Sequence, residues 1–373
     1  MKITTLQENL KSGLFFTSHI AGKNVNLPIL NNVMIKAKSG TIKLITTDLE
    51  VGIVATIRGK VEKEGSFTVD AKIISEYISL LPNQKVEIAK KDNSLFIKSE
   101  NYKTIIKGQE AEEFPLIPQV DRKYYYRADA VELRQALSQV VFAVSNNETR
   151  IELSGVLFSF NKETLTLAAT DSYRLAEKTI SIFTNSENSR QIIVPAKTLQ
   201  ELTRILSALS MDGEEKTEVN FYISENQILF AVGPIELVSR LIEGQYPDYK
   251  QIIPTTAKTT AIINRVELAR AIKAAAIFSK SGINDINLDF PLGKNKVTIT
   301  SASGQVGENI INLQANVNGQ DNGIAINYRY LLDGVNIIDS ENVRLEIINS
   351  STPCLVKPEK DKSFLYVVMP IKQ

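Results

Sequence analysis

Apolar residues along the chain are spaced in two ways. In some segments they recur every three or four positions, which is typical of one face of an α-helix. In others, Val, Ile, Thr and Phe alternate with polar residues, which is typical of β-strands. The predicted helices cover 6–20, 71–81, 130–146, 196–209, 264–280 and 327–338. The predicted β-hairpins cover 85–99, 218–232 and 343–357.

These segments occur in the same order three times along the chain. The stretch TIKLITTDLE (41–50) matches TLTLAATDSY (164–173) and, more weakly, KVTITSASGQ (296–305). Three helical stretches also correspond: they begin with VDAKII, VPAKTL and INYRYL. The repeat period of about 125 residues has the length of a domain, not of a solenoid unit.

Each repeat combines two helices with antiparallel strands, which predicts an α+β chain of three similar domains. Proline-containing polar segments interrupt the pattern near 118–123 and 254–258. We expect the domains to cover 1–120, 121–253 and 254–373.

The chain ends in SFLYVVMPIKQ (363–373), an apolar run at a place where polar residues are usual. The first two repeats end similarly, in EEFPLIP and GQYPDYKQIIP, and there the chain continues into the next repeat. We therefore expect Tyr366–Val368 to be a strand, and Met369–Gln373 to remain beside the junction of the second and third domains.

Charge and composition narrow the functional classes. The 43 basic and 42 acidic residues give a formal net charge of +1, so any affinity for nucleic acid must be local. One cysteine, Cys354, excludes an internal disulfide, and the chain opens without a signal-like segment, which favours a reducing cytoplasm. The apolar runs are far shorter than the roughly 18 residues that a membrane helix needs.

Residues for catalysis are scarce. The single histidine, His19, and Cys354 leave few pairs of nucleophile and base, and no cluster has metal-ligand spacing. No phosphate-binding glycine motif occurs, and PLGKNKVT (291–298) is interpreted as a hairpin turn. Asp48 and Asp171, which hold equivalent places in the repeat, are expected to cap turns. The sequence disfavours an enzyme and predicts no cofactor or metal. An enzyme that uses its carboxylates on a phosphorylated or sugar substrate is the alternative.

The predicted helices are more basic than the rest of the chain. They hold ten basic and six acidic residues, which leaves a charge of −3 for the other residues. The basic residues are Lys11, Lys72, Arg134, Lys197, Arg204, Arg265, Arg270, Lys273, Lys280 and Arg329. Helices that share one face would form a surface that follows phosphates. The alternative is that these residues are solvated and merely favour helix formation.

A ring built from such helices has a calculable size. Six helices at roughly 10 Å spacing enclose a hole of about 9 Å, which is too narrow for a duplex. Twelve helices, from two chains, leave a hole of roughly 28 Å, wide enough for double-stranded DNA. The repeat and its charge therefore predict a dimeric ring that tracks DNA without sequence readout.

Motifs along the whole chain resemble those of the bacterial DNA polymerase III beta subunit family, the replication sliding clamps. They are NLPILNNVMI (26–35), TTDLEVGI (46–53), EEFP (112–115), LSGVLF (153–158), ATDSYRLAEK (169–178), GQYPDY (244–249) and YVVMPIK (366–372). The resemblance implies three clamp domains, a head-to-tail homodimer closed around duplex DNA, and a non-catalytic role in processivity. It also implies several partners: the replicative polymerase, a clamp-loader ATPase, and other replication and repair proteins with a clamp-binding motif. A peptide-binding adaptor of the same fold that does not encircle DNA is the alternative.

The resemblance further implies a groove that binds short peptides with a glutamine followed by aliphatic and aromatic residues. Its expected residues are Leu153, Thr170, Ser172, Tyr173, Arg174, Leu175, Pro247, Ile252, Asn327, Tyr330, Val367, Val368, Met369, Pro370 and Ile371. Tyr173 stands where many relatives carry histidine, and Gln373 replaces a common apolar end.

Contacts for the dimer and for DNA follow from the same resemblance. The implied dimer residues are Tyr102, Thr104 and Ile106 on an edge of the first domain, with Ile277 and Phe278 of the third. From the residues alone, the preferred interpretation of Ile277 and Phe278 is core of their own domain. Lys23 lies in a loop where relatives carry a basic DNA contact.

Overall fold

The computed structural model of the protein describes residues 1–22, 26–147, 149–186, 189–209 and 217–371. These residues contain six α-helices. The helices are α1 (Gln7–Thr17), α2 (Ala71–Leu80), α3 (Ala130–Val140), α4 (Ala196–Leu209), α5 (Arg265–Ala276) and α6 (Tyr328–Ile337). All six predicted helices are therefore confirmed, with several ends shorter than the apolar spacing suggested.

The strands account for most of the remaining ordered backbone. They are β1 (Lys2–Leu6), β2 (Asn32–Lys38), β3 (Thr41–Thr47), β4 (Val51–Ile57), β5 (Lys60–Lys63), β6 (Gly65–Asp70), β7 (Lys85–Lys91), β8 (Ser94–Ser99), β9 (Tyr102–Gln109), β10 (Tyr126–Asp129), β11 (Gly155–Phe160), β12 (Thr164–Thr170), β13 (Arg174–Ser181), β14 (Phe183–Thr184), β15 (Arg190–Pro195), β16 (Glu218–Ile223), β17 (Gln227–Val232), β18 (Ile235–Arg240), β19 (Thr259–Asn264), β20 (Asp285–Phe290), β21 (Lys296–Ser303), β22 (Gly307–Gly319), β23 (Asn322–Asn327), β24 (Asn342–Ile347), β25 (Cys354–Pro358) and β26 (Phe364–Val368). The three predicted hairpins, the turn at 291–295 and the terminal strand are confirmed.

The chain forms two compact units, each built on one antiparallel sheet. The first unit (1–131, 183–187 and 204–241) has fourteen strands in the order β14-β10-β16-β17-β18-β4-β3-β2-β6-β9-β8-β7-β1-β5. The second (132–182, 188–203 and 242–373) has twelve, in the order β15-β11-β12-β13-β26-β25-β24-β19-β22-β21-β20-β23. The middle third of the sequence contributes strands to both sheets. The boundaries at 120/121 and 253/254 stay a prediction.

Helices cover these sheets on their apolar side. In the first unit α1 packs on β3, β4 and α2, and in the second α5 packs on β21, β22 and α6. Asp70 begins α2 by accepting a hydrogen bond from the Ile73 amide at 2.8 Å, and Asn327 begins α6 by accepting one from Arg329 at 2.9 Å. Short polar side chains at these positions satisfy amides that the first helical turn leaves unpaired. In the described part of the chain no helix is long and apolar enough to cross a membrane.

The predicted capping role of Asp48 and Asp171 is confirmed in matching turns. Asp48 Oδ1 accepts hydrogen bonds from the amides of Glu50 and Val51, and Asp171 Oδ1 accepts them from Tyr173 and Arg174. The residue after each aspartate has a left-handed backbone, with φ of 79° at Leu49 and 78° at Ser172. Two distant segments thus adopt one local structure, as the sequence repeat predicts.

Gly334 in α6 allows the helix to approach the terminal strand closely. A Cβ added there would overlap the ring of Tyr366, which is fully buried and donates its hydroxyl to the Tyr330 carbonyl at 2.8 Å. Because Phe142 also packs 5.6 Å from the Tyr366 ring centroid, that ring has little room to move. The close packing of β26 under α6 therefore depends on glycine.

Gly334→Ala is expected to destabilise the protein by about 1–3 kcal/mol through overpacking. Helix propensity alone predicts the opposite sign, a gain of about 1 kcal/mol. Urea titration followed by circular dichroism measures the difference. Gly304→Ala, where the added Cβ meets nothing within 4 Å, is the control. A Gly334→Ala protein at least as stable as the parent would contradict the packing argument.

Candidate functional site

The predicted peptide groove is centred on the strand pair β13–β26 in the second unit. Arg174 pairs with Val368 and Leu175 with Val367 in the antiparallel register. Beyond the strand, the Met369 amide donates to the Tyr173 carbonyl at 2.9 Å, and the Ile371 amide donates to the Ala325 carbonyl at 2.8 Å. The terminal segment is therefore held by backbone hydrogen bonds at both of these points, and the side chains of 369–371 stay partly exposed.

Two tyrosines form the exposed aromatic part of this site. The Tyr173 side chain is 62% exposed and stacks on Tyr330 of α6, with ring centroids 6.1 Å apart and planes 15° from parallel. The guanidinium carbon of Arg174 lies 4.9 Å from the centroid of the Tyr330 ring. Burial is the main cause that raises the pKa of Tyr330 above its ordinary value. The two stacked rings offer apolar faces to a ligand.

Arg174 connects the turn to α6 through directed hydrogen bonds. Its Nε donates to Asp171 Oδ2 at 3.0 Å, its Nη1 to Asp333 Oδ2 at 2.5 Å, and its Nη2 to the Phe142 carbonyl at 3.0 Å. Burial lowers the pKa of Arg174, but Tyr366 and the two carboxylates raise it by more, so the guanidinium stays charged. An arginine with this many partners holds the Asp171 turn against α6, and its hydrogen-bond donors are already occupied.

The segment 246–252 is packed against the same strands. Tyr246 accepts a hydrogen bond from the Thr170 amide at 3.1 Å, and Tyr249 donates its hydroxyl to Glu177 Oε2 at 2.5 Å. Tyr249 also packs in one apolar cluster with Leu175 and Val367. Burial, followed by the bond to Glu177, raises the pKa of Tyr249, so this hydroxyl stays protonated.

Four apolar residues that were expected in the groove do not offer side-chain surface. Leu153, Leu175, Val367 and Val368 are buried in the core of the unit. Tyr249 packs against Leu175 and Val367, and α6 packs against Tyr366 of the same strand pair, so alternation along these strands does not bring the side chains to solvent. The four residues are corrected to a backing layer beneath the groove.

The remaining expected residues fall into two groups. Thr170 is also buried, and its hydroxyl donates to the Arg174 carbonyl at 2.6 Å; Asn327 caps α6. Ser172 shapes the turn and accepts a hydrogen bond from Arg150 at 3.2 Å. Besides Ser172, Arg174 and Asn327, the expected residues that are partly or largely exposed are Tyr173, Pro247, Ile252, Tyr330, Met369, Pro370 and Ile371.

Sequence reasoning missed some partners that organise the site. Phe142 and Asp333 anchor Arg174, Tyr246 anchors Thr170, and Arg150 contacts Ser172. Tyr246 lies inside the motif GQYPDY (244–249), so the resemblance of this motif could have indicated a role for Tyr246 in the site. Phe142 and Asp333 carried no signal, because side chains so far apart in sequence are brought together only by the fold.

The residues expected to contact DNA differ in the solvent exposure of their side chains. The exposed ones are Lys11, Lys72, Lys197, Arg270, Lys273, Lys280 and Arg329. Arg134, Arg204 and Arg265 are half-buried. Lys23 lies outside the described residues. In the described chain no group of three or more His, Cys, Asp or Glu side chains could hold a metal ion.

Arg204 has a structural role that the sequence did not reveal. Its guanidinium donates to the carbonyls of Phe15 at 3.2 Å and Phe16 at 2.9 Å, and lies 4.9 Å from the Phe15 ring centroid. Arg265 similarly donates through Nε to the Ser340 carbonyl at 3.2 Å. These two arginines hold helices and loops in place, so the expectation that they face phosphates freely is corrected.

The expected dimer residues are partly available. Tyr102 is exposed and Thr104 half-buried on β9, but Ile106 is only 7% exposed because its side chain points into the first unit. Ile106 is therefore corrected to a core residue, and the exposed apolar side chain on this strand is Ile105, at 59%.

Ile277 and Phe278 follow the end of α5. Ile277 is 67% exposed, so its interpretation as domain core is wrong, and Phe278 is half-buried. Both residues end the helix with amides that bond back to Ala274 and Ala275.

Comparisons with known proteins agree along the whole chain. Residues 1–118, 128–248 and 250–372 match the sequence models of the N-terminal, central and C-terminal domains of the DNA polymerase III beta subunit. The Beta sliding clamp of Staphylococcus epidermidis is 30% identical over 382 aligned positions, which cover 100% of this chain and 99% of the relative. The Beta sliding clamp of Staphylococcus aureus strain Mu50 is 30% identical, covering 99% of this chain and 97% of the relative.

Solved structures show the same likeness. The DNA polymerase III subunit beta of Pseudomonas aeruginosa superposes with a TM-score of 0.94 at 26% identity, covering 100% of both chains. The DNA polymerase sliding clamp of Bacillus subtilis superposes with a TM-score of 0.93 at 26% identity, covering 100% of this chain and 99% of the other.

Proposed function

The chain belongs to the DNA polymerase III beta subunit family, and we propose that it closes as a head-to-tail homodimer around duplex DNA. It is a DNA sliding clamp, a non-catalytic processivity subunit that acts in DNA replication. The observation that carries the ring proposal is the repeat itself: equivalent strand–turn–strand segments in two large sheets, with basic helices packed on them. Such a helical lining contacts phosphates without reading bases.

The exposed basic residues are proposed as the DNA-facing set. Lys11, Lys273 and Lys280 lie on or just after helices with solvent-exposed side chains. Arg270 is exposed but paired with Glu267 at 2.9 Å, and Lys72 lies 3.8 Å from Glu76. Exposed pairs of this kind are worth little and exchange readily for a phosphate.

Two strand edges support the proposed dimer. In the described residues, 102–107 of β9 pair only with β8, and 307–312 of β22 pair only with β21. Unpaired edges with exposed apolar side chains, here Ile105 and Ile310, invite pairing with another chain. Edge pairing of β9 with β22 of a second copy would cover both, with Ile277 packing beside them.

We propose that the groove around Tyr173, Tyr330 and 369–371 binds partner peptides with a glutamine followed by aliphatic and aromatic residues. Met369 supplies an adaptable side chain, and the stacked tyrosines supply a rigid apolar face. The replicative polymerase, a clamp-loader ATPase and repair proteins are the proposed partners, and the cytoplasm is the proposed location.

The ring proposal predicts topological binding. The purified dimer, loaded onto nicked circular plasmid by a clamp loader, is expected to stay bound through gel filtration and to be lost when a restriction enzyme linearises the plasmid. Electrostatic binding alone would survive linearisation. The double variant Ile105→Asp, Ile277→Asp is expected to elute as a monomer. It is also expected to be retained on neither the circular nor the linear plasmid.

The control for these changes is Leu80→Asp, a similarly exposed apolar position on α2. It is expected to remain dimeric and to be retained on the circle. A parent protein that elutes as a monomer at micromolar concentration, or that leaves circular and linear DNA equally, would contradict the ring and favour a peptide-binding adaptor.

A further inference from the structure

The first unit contains a second candidate groove. A cavity of about 770 Å³ lies between β2, β3 and β4 on one side and β17 and β18 on the other. The segment 115–122 runs along it, and Leu116 in this segment is 90% exposed. Its neighbour Ile117 packs against two apolar clusters at once, one with Met34 and Val54 and the other with Leu229 and Val238.

This cavity lies beside a strand pair that is equivalent in the repeat to the strand pair at the centre of the peptide groove. In the first unit β4 pairs with β18, and in the second β13 pairs with β26. The matched turns at Asp48 and Asp171 precede β4 and β13 respectively. The segments that run beside the two strand pairs also correspond, as EEFPLIP and GQYPDYKQIIP. Each unit therefore contains this strand pair together with its turn and its flanking segment.

The equivalent strands of the first and middle repeats differ in charge at these positions. Lys36, Lys38 and Lys43 line the first cavity. At the repeat spacing of 123 residues set by Asp48 and Asp171, the middle third has Ser159, Asn161 and Thr166 instead. The lysines are therefore not required by the fold, since neutral residues occupy the same strand positions in the other copy.

The lysine cluster is placed where a sheet does not favour it. Lys36 and Lys43 are direct cross-strand partners on β2 and β3, an arrangement in which like charges repel. Among the described residues, no carboxylate oxygen lies within 4 Å of the amino groups of Lys36, Lys38 or Lys43. The basic residue on the other side of the cavity, Arg122, is already paired with Glu236 at 2.8 Å.

We propose that this cavity binds an extended acidic peptide that carries an apolar anchor. Side chains two apart on a strand point to one face at roughly 7 Å spacing, so Lys36 and Lys38 match carboxylates at alternate positions of an extended ligand. The anchor lies against Leu116 and Ile117. The partner's chemistry thus differs from that of the peptide groove in the second unit.

An acidic peptide fits this cavity better than a nucleic acid. Asp121 and Glu236 also line the cavity and repel a continuous row of phosphates. A peptide can place carboxylates beside the lysines and neutral or apolar groups elsewhere. The exposed Leu116 and the apolar floor likewise favour an aliphatic or aromatic side chain.

Fluorescence anisotropy with labelled Asp-Gly-Asp-Gly-Leu-Phe tests the proposal on the full-length dimer. This probe is expected to bind at least about tenfold more tightly than the matched probe Asn-Gly-Asn-Gly-Leu-Phe, because charge-assisted hydrogen bonds to lysine are lost in the second. Lys36→Glu with Lys38→Glu is expected to abolish the difference. Leu116 is too exposed for its substitution to affect the core. Leu116→Ala is expected to weaken the binding of both probes.

Controls separate this site from the peptide groove and from general charge effects. Lys60→Glu with Lys85→Glu changes two exposed lysines elsewhere in the first unit and is expected to leave both affinities unchanged. A labelled Gln-Leu-Ser-Leu-Phe peptide is expected to bind the Lys36 and Lys38 variant normally. Loss of binding at the cavity can therefore be distinguished from loss of binding at the peptide groove.

Two results with the peptide probes alone would overturn the proposal. One is equal affinity of the Asp and Asn probes for the parent protein. The other is unchanged binding of the Asp probe to the Lys36 and Lys38 variant with an unaltered melting temperature. Full displacement of the Asp probe by a short thymidine oligonucleotide at equal concentration would reassign the cavity to phosphate binding.

Discussion

A chain lacking residues 369–373 is expected to lose measurable binding of Gln-Leu-Ser-Leu-Phe. The deletion removes the partly exposed side chains of Met369, Pro370 and Ile371, which border Tyr173 and β23. Two apolar anchors that lose their contact surface cost about 3 kcal/mol, which is roughly 100-fold in affinity. Isothermal titration calorimetry with the intact and truncated proteins measures the loss.

The fold is expected to tolerate this deletion. β26 ends at Val368, and its pairing with β13 and β25 is complete without the last five residues. A chain that ends at Ile371 is the matched control, because it keeps the hydrogen bonds of the Met369 and Ile371 amides. It is expected to bind the peptide as the full chain does. Normal binding by the longer truncation, with dimerisation intact, would show that the terminal segment is not part of the groove.

The sequence predicted the local structure well where a short-range rule applied. The capping aspartates, the hairpins and the terminal strand each follow from residues within a few positions of one another. The repeat added what no single segment could supply, namely that distant turns would be alike. It also indicated the third copy of the strand, although that copy lies at the end of the chain.

Contacts over long sequence distances escaped the same reasoning. Arg204 bonds to carbonyls 188 and 189 residues away, so its charge alone could not distinguish a structural residue from a phosphate contact. The burial of Leu175 and Val367 depends on Tyr249, which packs over them from another segment. On β9, the exposed residue is Ile105 and not Ile106, because strand alternation is unambiguous only when the register is known.

The division of the middle third between two sheets also has a physical reason. β18 pairs with β4 from the first third of the chain, whereas β13 pairs with β26 from the last third. The strand edges of the middle third are therefore hydrogen-bonded to strands from both flanking thirds. Pairing in this way leaves fewer unpaired edges than three separate sheets would have. Local patterns of apolar residues do not carry this information.

Arg174→Ala is expected to lower the free energy of unfolding of the second unit by about 3 kcal/mol. It removes three hydrogen bonds and leaves the carboxylates of Asp171 and Asp333 without their cation, which is costly where the pair is shielded from water. Tyr330 loses its cation–π partner as well, so the stack with Tyr173 loosens and peptide affinity falls. Urea titration and calorimetry measure the two effects.

Arg270→Ala is the control, since Arg270 forms a much more exposed pair with Glu267 in the same unit and is expected to contribute less than about 1 kcal/mol. A double-mutant cycle with Asp333→Asn isolates the Arg174–Asp333 coupling, because the two residues share a direct bond. Coupling indistinguishable from zero would mean that Arg174 does not fasten the Asp171 turn to α6. An unchanged peptide affinity in Arg174→Ala would then show that Tyr173 and Tyr330 hold their stacked arrangement without it.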